Sequence, residues 1–297
     1  MTIIYKILDL FKIKKPNLGS CGADDKAVHK KNQDAKISRD IGLRDAALSG
    51  WFQNQNGEVF TGVPIDKNDI VVDVGCGDGG ILSFCANRGA HVVGVEVDEQ
   101  ALQAAKQKLD GSRASKKEFH LAEGEKLPLS SGFATRVICT EVLEHVENPQ
   151  LVLKELFRIG TENALYLITV PDSLQEAMQK HVADDLYFQH PNHVRIIDRE
   201  KFPEMVRQAG LEVVSQSGYG FYWGIWWAMF WGCECDFKNP EHQALINWAK
   251  AWNELIKTEK GRKIKTGLDA FLPKSQVIVA KKISSQAILR VRFKEYN

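Results

Sequence analysis

Residues 70–80 read IVVDVGCGDGG, and this stretch decides the fold. Its first five residues are mostly β-branched and apolar, which is typical of a buried strand. Gly75, Gly77 and Gly79 follow, and residues 81–87 then have helical spacing. Glycines between a strand and a helix let the backbone turn sharply and approach a ligand at the helix N-terminus. The stretch therefore predicts a ligand-binding strand–loop–helix unit.

An acidic residue lies near the end of the next predicted strand, His91–Val97. This residue, Glu96, comes 21 residues after Gly75. A carboxylate at this position can accept hydrogen bonds from both hydroxyls of a ribose. The glycine loop and Glu96 together predict a cofactor that contains adenosine.

Strands and helices alternate from residue 69 onward, which predicts a parallel sheet covered by helices on both faces. Further strands are predicted at residues 118–123, 136–141, 164–170, 211–217 and 275–280. Further helices are predicted at residues 99–109, from Asn148 onward, at 198–209 and at 241–257, with a helix and a turn in 38–62.

Charge and cysteine usage exclude several classes of protein. The chain has 297 residues, with 39 Lys+Arg against 38 Asp+Glu, so its formal net charge of +1 disfavours a general nucleic-acid binder. Six scattered cysteines form no disulfide framework, which suits a reducing cytosol and predicts a cytoplasmic location. Cys233 and Cys235 are the only close pair, so no metal site is predicted.

Longer motifs resemble those of a known family. VVDVGCGDGG is similar to motif I of the class I S-adenosylmethionine-dependent methyltransferases, in which an acidic residue lies two positions before the first glycine, as Asp73 does. The resemblance extends over residues 70–215 and is closest to the type 11-like subgroup, which includes small-molecule and quinone-precursor methyltransferases. It continues in GVEVD at 94–98, EGEKLPL at 123–129, ICTEVLEHVENP at 138–149 and HPNHVRIIDREKFPEMVRQAGLEVV at 190–214. One departure is Ala134-Thr135, where the family usually has an aromatic residue and an aspartate.

The resemblance implies a Rossmann-like methyltransferase fold. This is an α/β, doubly wound, mostly parallel sheet of seven strands that ends in an antiparallel hairpin. Here residues 211–217 and 275–280 would form the hairpin, with an aromatic-rich helical insertion at 218–274 before the last strand. The predicted organisation is an amphipathic helix and linker at 1–37, a methyltransferase domain at 38–283 and an extension at 284–297.

The resemblance also implies S-adenosyl-L-methionine as cofactor and assigns roles around it. Asp73 would hold its ammonium group, Glu96 its ribose hydroxyls and Val97 one face of its adenine. The remaining predicted cofactor residues are Gly75, Cys76, Gly77 and Gly79 around the methionine part, and Glu123 and Gly124 at the adenine edge. For Asp73 a helix-capping role is the alternative, and for Glu123 that of a solvated loop acid.

A sulfonium methyl group is already electrophilic, so the enzyme must align an acceptor and remove its proton if the acceptor is a hydroxyl. His145, after strand four, and His193, after strand five, are the predicted catalytic bases. His190, Glu144 and Asp172 are further candidates. For His145, His193 and Asp172, a purely structural role is the alternative.

Residues 219–232 of the insertion contain four of the seven tryptophans of the chain. One interpretation is that its helix packs on the domain, or on a second copy of the chain, and caps the acceptor pocket. The other is an aromatic face for a lipid, a membrane surface or sugar rings. Residues 1–15 have the pattern of a basic amphipathic helix. Under the second interpretation, the protein would therefore contact a membrane surface peripherally.

The predicted function is methyl transfer from S-adenosylmethionine to a small-molecule, glycan or lipid-linked acceptor, at oxygen. A quinone-precursor methyltransferase is the alternative enzyme, and a cofactor-binding module without catalysis is the alternative from another class. No nucleic-acid partner is expected, because the Asn/Asp-Pro-Pro-aromatic signature is missing after strand four.

Overall fold

The computed structural model describes residues 38–189, 192–235 and 242–283. Its strands are β1 (Trp51–Gln53), β2 (Glu58–Phe60), β3 (Val63–Pro64), β4 (Ile70–Val74), β5 (His91–Glu96), β6 (Lys116–Leu121), β7 (Ala134–Thr140), β8 (Gly160–Pro171), β9 (Leu211–Tyr219) and β10 (Ser275–Lys282). Its helices are α1 (38–48), α2 (Gly80–Ala86), α3 (Glu99–Lys108), α4 (Pro149–Ile159), α5 (Ser173–Gln179), α6 (Lys201–Gln208), α7 (Phe221–Gly232), α8 (Gln243–Lys257) and α9 (Glu259–Phe271), with a 3-10 turn at Asp185–Phe188.

The main sheet has seven strands in the order β6-β5-β4-β7-β8-β10-β9. Neighbouring strands from β6 to β8 are parallel, whereas β10 is antiparallel to both β8 and β9. Val277 of β10, for example, pairs with Thr169 on one side and Ser217 on the other. This confirms the predicted doubly wound sheet with its antiparallel last hairpin.

Alternate residues of β4 supply two cores, one on each face of the sheet. Val72 and Val74 pack in a cluster that contains Leu153 of α4, whereas Val71 packs in a cluster that contains Leu82 of α2. This division follows from the two-residue period of a strand. The glycine loop therefore follows a strand that is packed on both faces.

The start of β7 explains why the departure at Ala134-Thr135 does not disturb the sheet. The Thr135 hydroxyl donates to a carboxylate oxygen of Asp69 at 2.8 Å and accepts from the amide of Ile70 at 3.0 Å. Arg136 forms an ion pair with the same carboxylate at 3.0 Å. These contacts join the beginnings of β4 and β7.

Several elements differ from the sequence prediction. The predicted turn after α1 is a small antiparallel sheet of β1, β2 and β3, in which Trp51 pairs with Phe60. Helices α5 and α9 were not predicted, and the helix expected from Asp198 begins at Lys201. Strands of two or three residues are too short to show alternation, which is why the small sheet escaped prediction.

The insertion between β9 and β10 folds into α7, α8 and α9. On α7 the side chains of Tyr222, Trp226, Trp227 and Phe230 are each at most 2% exposed. A helix that is apolar all round is expected to be buried. The described tryptophans of α7 therefore pack inside the molecule, against α8 and α1 among others, and Gly42 of α1 leaves room for the Trp223 ring. This arrangement leaves α7 without the exposed aromatic face that a lipid or sugar contact requires.

Among the described residues, none of the helices has the length and apolarity needed to span a membrane. The predictions for residues 1–37 and 284–297, and the candidate base His190, lie outside the described residues.

Candidate active site

The glycine loop follows β4 and is built from left-handed backbone. The φ angles of Gly75, Gly77 and Gly79 are +75°, +50° and +78°. A Cβ atom on Gly75 would lie 2.3 Å from Cγ2 of Val142. The loop is therefore a tight cradle between β4 and the segment after β7, and a side chain at Gly75 would fill it.

Asp73 lies one residue from the end of β4 and is fully buried. Neither of its carboxylate oxygens has a hydrogen-bond partner among the described residues. Burial, reinforced by the nearby charge of Glu96, raises the pKa of Asp73 well above its usual range. A buried carboxylate without a partner is costly unless a ligand satisfies it.

Glu96, the last residue of β5, closes the other side of the loop. Its carboxylate accepts hydrogen bonds from the backbone amides of Gly77 at 2.9 Å, Val97 at 2.8 Å and Asp98 at 3.1 Å. The side chain of Val97 next to it is 59% exposed. A fixed acceptor beside an exposed apolar side chain suits a ribose attached to an apolar base.

A cavity of about 460 Å³ opens above these groups. Six of its lining residues are predicted site residues: Gly75, Glu96, Val97, Glu123, Gly124 and His145. Glu141 and Val142 also line it and were not predicted.

The other predicted cofactor residues lie outside the cavity lining. Gly79 caps α2, and a Cβ there would lie 3.0 Å from that of Ala105 in α3. The thiol of Cys76 is buried in the core beside Gly94, so Cys76 offers the cleft only its backbone.

Three chemically active side chains meet beside this cavity, and one of them, His145, lines it. A carboxylate oxygen of Glu144 and one ring nitrogen each of His145 and His193 lie within 4.8 Å of one another. The two imidazole rings meet edge to face at 4.9 Å between centroids. The structure thus brings together residues that the sequence analysis had considered as separate bases.

Glu144 is the most constrained member of this cluster. It is 1% exposed, and neither carboxylate oxygen has a hydrogen-bond partner among the described residues. Burial and the charge of Glu141 raise the pKa of Glu144 well above its usual range. The nearest basic atom is Nε2 of His145, at 3.5 Å from its Oε1.

Comparisons with known proteins identify the kind of domain. The methyltransferase domain family matches residues 72–168. This match identifies residues 72–168 as a class I S-adenosylmethionine-dependent methyltransferase domain of the type 11 kind. The methyltransferase matches favour an enzyme over a cofactor-binding module without catalysis.

Two curated relatives are both named ubiquinone biosynthesis O-methyltransferase. That of Aromatoleum aromaticum is 28% identical over 160 residues, which is 51% of this chain and 67% of the relative. That of Dechloromonas aromatica is 38% identical over 96 residues, 30% of this chain and 38% of the relative. The similarity to these relatives thus spans between 38% and 67% of their length.

Two solved structures share the fold of the methyltransferase. Geranyl diphosphate C-methyltransferase from Streptomyces coelicolor A3(2), in complex with Mg²⁺, geranyl diphosphate and S-adenosyl-L-homocysteine, aligns with a TM-score of 0.56, 12% identity and 84% of each chain covered. The [4+2]-cyclase SpnF aligns with a TM-score of 0.50, 16% identity, 74% of this chain and 77% of that chain covered. Since a cyclase is among the similar folds, the fold alone does not define the reaction.

S-adenosylmethionine is the cofactor of the methyltransferase. The residues fit this cofactor. The carboxylate of Asp73, which lacks a hydrogen-bond partner among the described residues, suits an ammonium group, and the carboxylate of Glu96 suits a ribose. The tight loop at Gly75 leaves room for the methionine part. When bound, the cofactor supplies an electrophilic methyl group. These individual contacts remain predictions.

Glu141 connects the cavity to the end of the insertion. Its φ angle is +55°, and its side chain is 1% exposed. The carboxylate accepts hydrogen bonds from Thr169 at 2.9 Å, from Ser275 at 3.2 Å and from the ammonium of Lys274. One buried acid therefore joins the ends of β7 and β8 to the start of β10.

His193 is held by a second buried acid. Its Nδ1 lies 2.7 Å from Oε2 of Glu176 on α5, and both side chains are at most 3% exposed. The other oxygen of Glu176 accepts from the hydroxyl of Tyr187 at 3.2 Å. Glu176 has no family motif around it in the sequence analysis, so only the tertiary contact identifies it.

Asp172, the third candidate base, has a structural role. It caps the N-terminus of α5 and forms a two-pronged ion pair with Arg199 at 2.6 and 2.8 Å. Both oxygens are occupied, and the carboxylate is fully buried. The catalytic alternative for Asp172 is therefore replaced by its structural one.

The cluster of Glu144, His145 and His193 is also a candidate metal site, although no metal site was predicted from the sequence. One carboxylate oxygen and two imidazole nitrogens suit first-row divalent cations. Glu144 supplies a second observation besides proximity, because it is a buried acid that lacks a hydrogen-bond partner among the described residues.

Proposed function

We propose that this methyltransferase transfers the methyl group to a hydroxyl oxygen of a small-molecule acceptor, and that a quinone precursor is the acceptor class. The observation that carries the proposal is the cluster of Glu144, His145 and His193, of which His145 lines the cofactor cavity. Glycan and lipid-linked hydroxyls are the other acceptors to be tested.

Oxygen is favoured because a hydroxyl must lose its proton as the methyl group is transferred. His145 lines the cavity, and the ring of His193 contacts the ring of His145 edge to face. Imidazoles have pKa values near neutrality and can accept that proton.

The same cluster can act on the proton in a second way, as a divalent-cation site. A cation between Glu144, His145 and His193 would lower the pKa of an acceptor hydroxyl. The carboxylate of Glu144 supports this version, because it is buried with no hydrogen-bond partner among the described residues and a cation would compensate its charge. The base version and the cation version place the same side chains at the acceptor.

A quinone precursor is supported by two observations. The relatives from Aromatoleum aromaticum and Dechloromonas aromatica carry the name ubiquinone biosynthesis O-methyltransferase. Aromatic rings also surround His193, with the ring of Tyr187 at 4.6 Å and that of Phe188 at 6.5 Å between centroids. Such rings suit an aromatic acceptor.

The test is methyl transfer by the full-length chain from S-adenosylmethionine to a panel of phenolic quinone precursors, glycans and lipid extracts. It is run after chelation and after addition of Mg²⁺, Mn²⁺ or Zn²⁺. Glu144→Gln and His193→Asn are compared with His120→Gln, which changes a half-buried histidine on β6 outside the cluster.

We expect O-methylated phenol from the wild type, at least about a 100-fold lower kcat in the two cluster variants, and wild-type rates in the control. Activity that disappears on chelation and returns with a cation supports the cation version. Chelation without effect leaves the base version. Methylation only at nitrogen or carbon overturns the proposal.

A further inference from the structure

The contacts of α5 place one buried carboxylate between the aromatic insertion and the cluster of Glu144, His145 and His193. Gln175, Glu176 and Gln179 are its buried polar residues, each at most 2% exposed. Their spacing puts them on one side of the helix. A short helix that buries three polar side chains must pair each of them.

Two of the three pair with the insertion. The amide of Gln175 donates to the carbonyl oxygen of Gly224 on α7 at 2.7 Å. The indole of Trp231 donates to Oε1 of Gln179 at 3.4 Å. A Cβ atom on Gly224 would lie 2.9 Å from the Gln175 side chain, so α5 and α7 are in close contact here.

The third, Glu176, pairs with residues outside the insertion. Its two carboxylate oxygens contact Nδ1 of His193 and the hydroxyl of Tyr187. The ring of Tyr187 lies 4.6 Å from that of His193 and 5.6 Å from that of Trp231, between centroids. A continuous set of contacts therefore runs from α7 through α5 to His193.

We propose that Glu176 is the positioning residue of this active site. It fixes His193 in the neutral tautomer that carries its proton on Nδ1, which leaves the lone pair on Nε2 for the cluster with Glu144 and His145. The insertion between β9 and β10 holds α5, and thereby Glu176, in place. The inference rests on the proposed role of His193 but concerns a residue that never touches the acceptor.

The chemistry follows from the two ring nitrogens of histidine. A carboxylate beside Nδ1 accepts the proton on that nitrogen and so selects the tautomer. The other nitrogen then becomes the better base or cation ligand. Loss of such a carboxylate weakens cation affinity or activity by about 10- to 100-fold in known sites.

The primary experiment reads the tautomer itself and needs neither acceptor nor cation. The full chain is labelled with ¹⁵N-histidine, and the two ring nitrogens of His193 are assigned by the loss of their signals in His193→Asn. We expect a protonated Nδ1 and an unprotonated Nε2 in the wild type. A wild-type His193 protonated on Nε2 alone overturns the proposal.

The variants separate positioning from structure. In Glu176→Gln, whose amide can donate to Nδ1, we expect the proton to move to Nε2 and kcat to fall about 10- to 100-fold with KM little changed. Tyr187→Phe removes only the hydroxyl bonded to Glu176, and we expect an effect in the same direction but smaller. Glu204→Gln, an exposed acid paired with Lys201, is the matched control.

Mn²⁺ titration by calorimetry distinguishes this inference from the proposed function. Weaker Mn²⁺ binding in Glu176→Gln supports positioning toward a cation. If the wild type binds no Mn²⁺ but His193 shows the expected tautomer, the positioning role stands and the cation version of the function fails. A folded Glu176→Gln with wild-type tautomer and kcat overturns the inference.

Discussion

The ammonium of Lys274 donates a hydrogen bond to the carboxylate of Glu141, although 133 residues separate the two in sequence. Both side chains are at most 7% exposed. Lys274 lies directly before β10 and Glu141 directly after β7, so the pair closes the sheet at the edge where the cavity opens. Lys274, at the end of the insertion, therefore stabilises the position of Glu141 in the lining of the cavity.

Removal of Lys274 is expected to be strongly destabilising. Lys274→Met would leave the carboxylate of Glu141 buried without its counter-charge, a change that costs about 3–5 kcal/mol in buried pairs. Urea denaturation measures it against Lys263→Met, which breaks an exposed pair with Glu259 and should cost about 0–1 kcal/mol. Equal effects of the two variants would contradict the structural role of the buried pair.

Gly75→Ala is expected to abolish the cofactor cradle. The new Cβ would lie 2.3 Å from Val142, and the φ angle of +75° is strained for alanine. Gly62→Ala is the matched control, because Gly62 has a φ angle of +85° and open space around it. Calorimetry with S-adenosylhomocysteine should show at least about tenfold weaker binding, or 1.4 kcal/mol, for Gly75→Ala alone. Equal losses in both variants would mean that backbone strain, and not the cradle, is responsible.

Asp73→Asn should change stability and cofactor binding in opposite directions. The raised pKa of Asp73 means that its ionised form is unfavourable in the folded protein. Its cost is absent below the unfolded pKa of about 3.9 and grows as the pH rises toward the folded pKa. At neutral pH we therefore expect a higher Tm for the ligand-free variant, and a smaller difference from the wild type as the pH falls toward 4.

The same variant loses a charged partner for the cofactor ammonium. Hydrogen bonds to charged groups contribute about 1.5–3 kcal/mol, so S-adenosylmethionine should bind about 10- to 150-fold more weakly. Asp110→Asn, at an exposed position, should change neither property. A Tm that falls in Asp73→Asn at neutral pH would contradict the orphaned state of the carboxylate.

Trp226→Ala tests whether the insertion is a core. The Trp226 ring is 1% exposed and stacks on Phe230 at 5.4 Å between centroids, so its removal should cost about 3–5 kcal/mol. Phe271→Ala, at a position 71% exposed, should lie within about 0.5 kcal/mol of the wild type. Thermal unfolding compares the two. A stable Trp226→Ala with impaired binding to lipid vesicles would favour the lipid-contact interpretation instead.

Local sequence patterns predicted most of the fold and six of the residues that line the cavity. The strand–loop–helix unit at 70–80 and the acid at Glu96 could be predicted because each depends on residues close in sequence. Element ends differed by a few residues, since the last turn of a helix or strand depends on what packs against it. The small sheet of β1–β3 could not be predicted, because strands that short have no period.

The sequence by itself determined the order of strands and helices, the glycine loop and the family, because periodicity and backbone conformation are short-range properties. Only the tertiary structure decided which acids meet which bases. Glu176 reaches His193 and Lys274 reaches Glu141 through packing between elements distant in the chain. It also decided that the tryptophans of α7 are core and not surface, because composition cannot tell an apolar helix that meets lipid from one that meets its own protein.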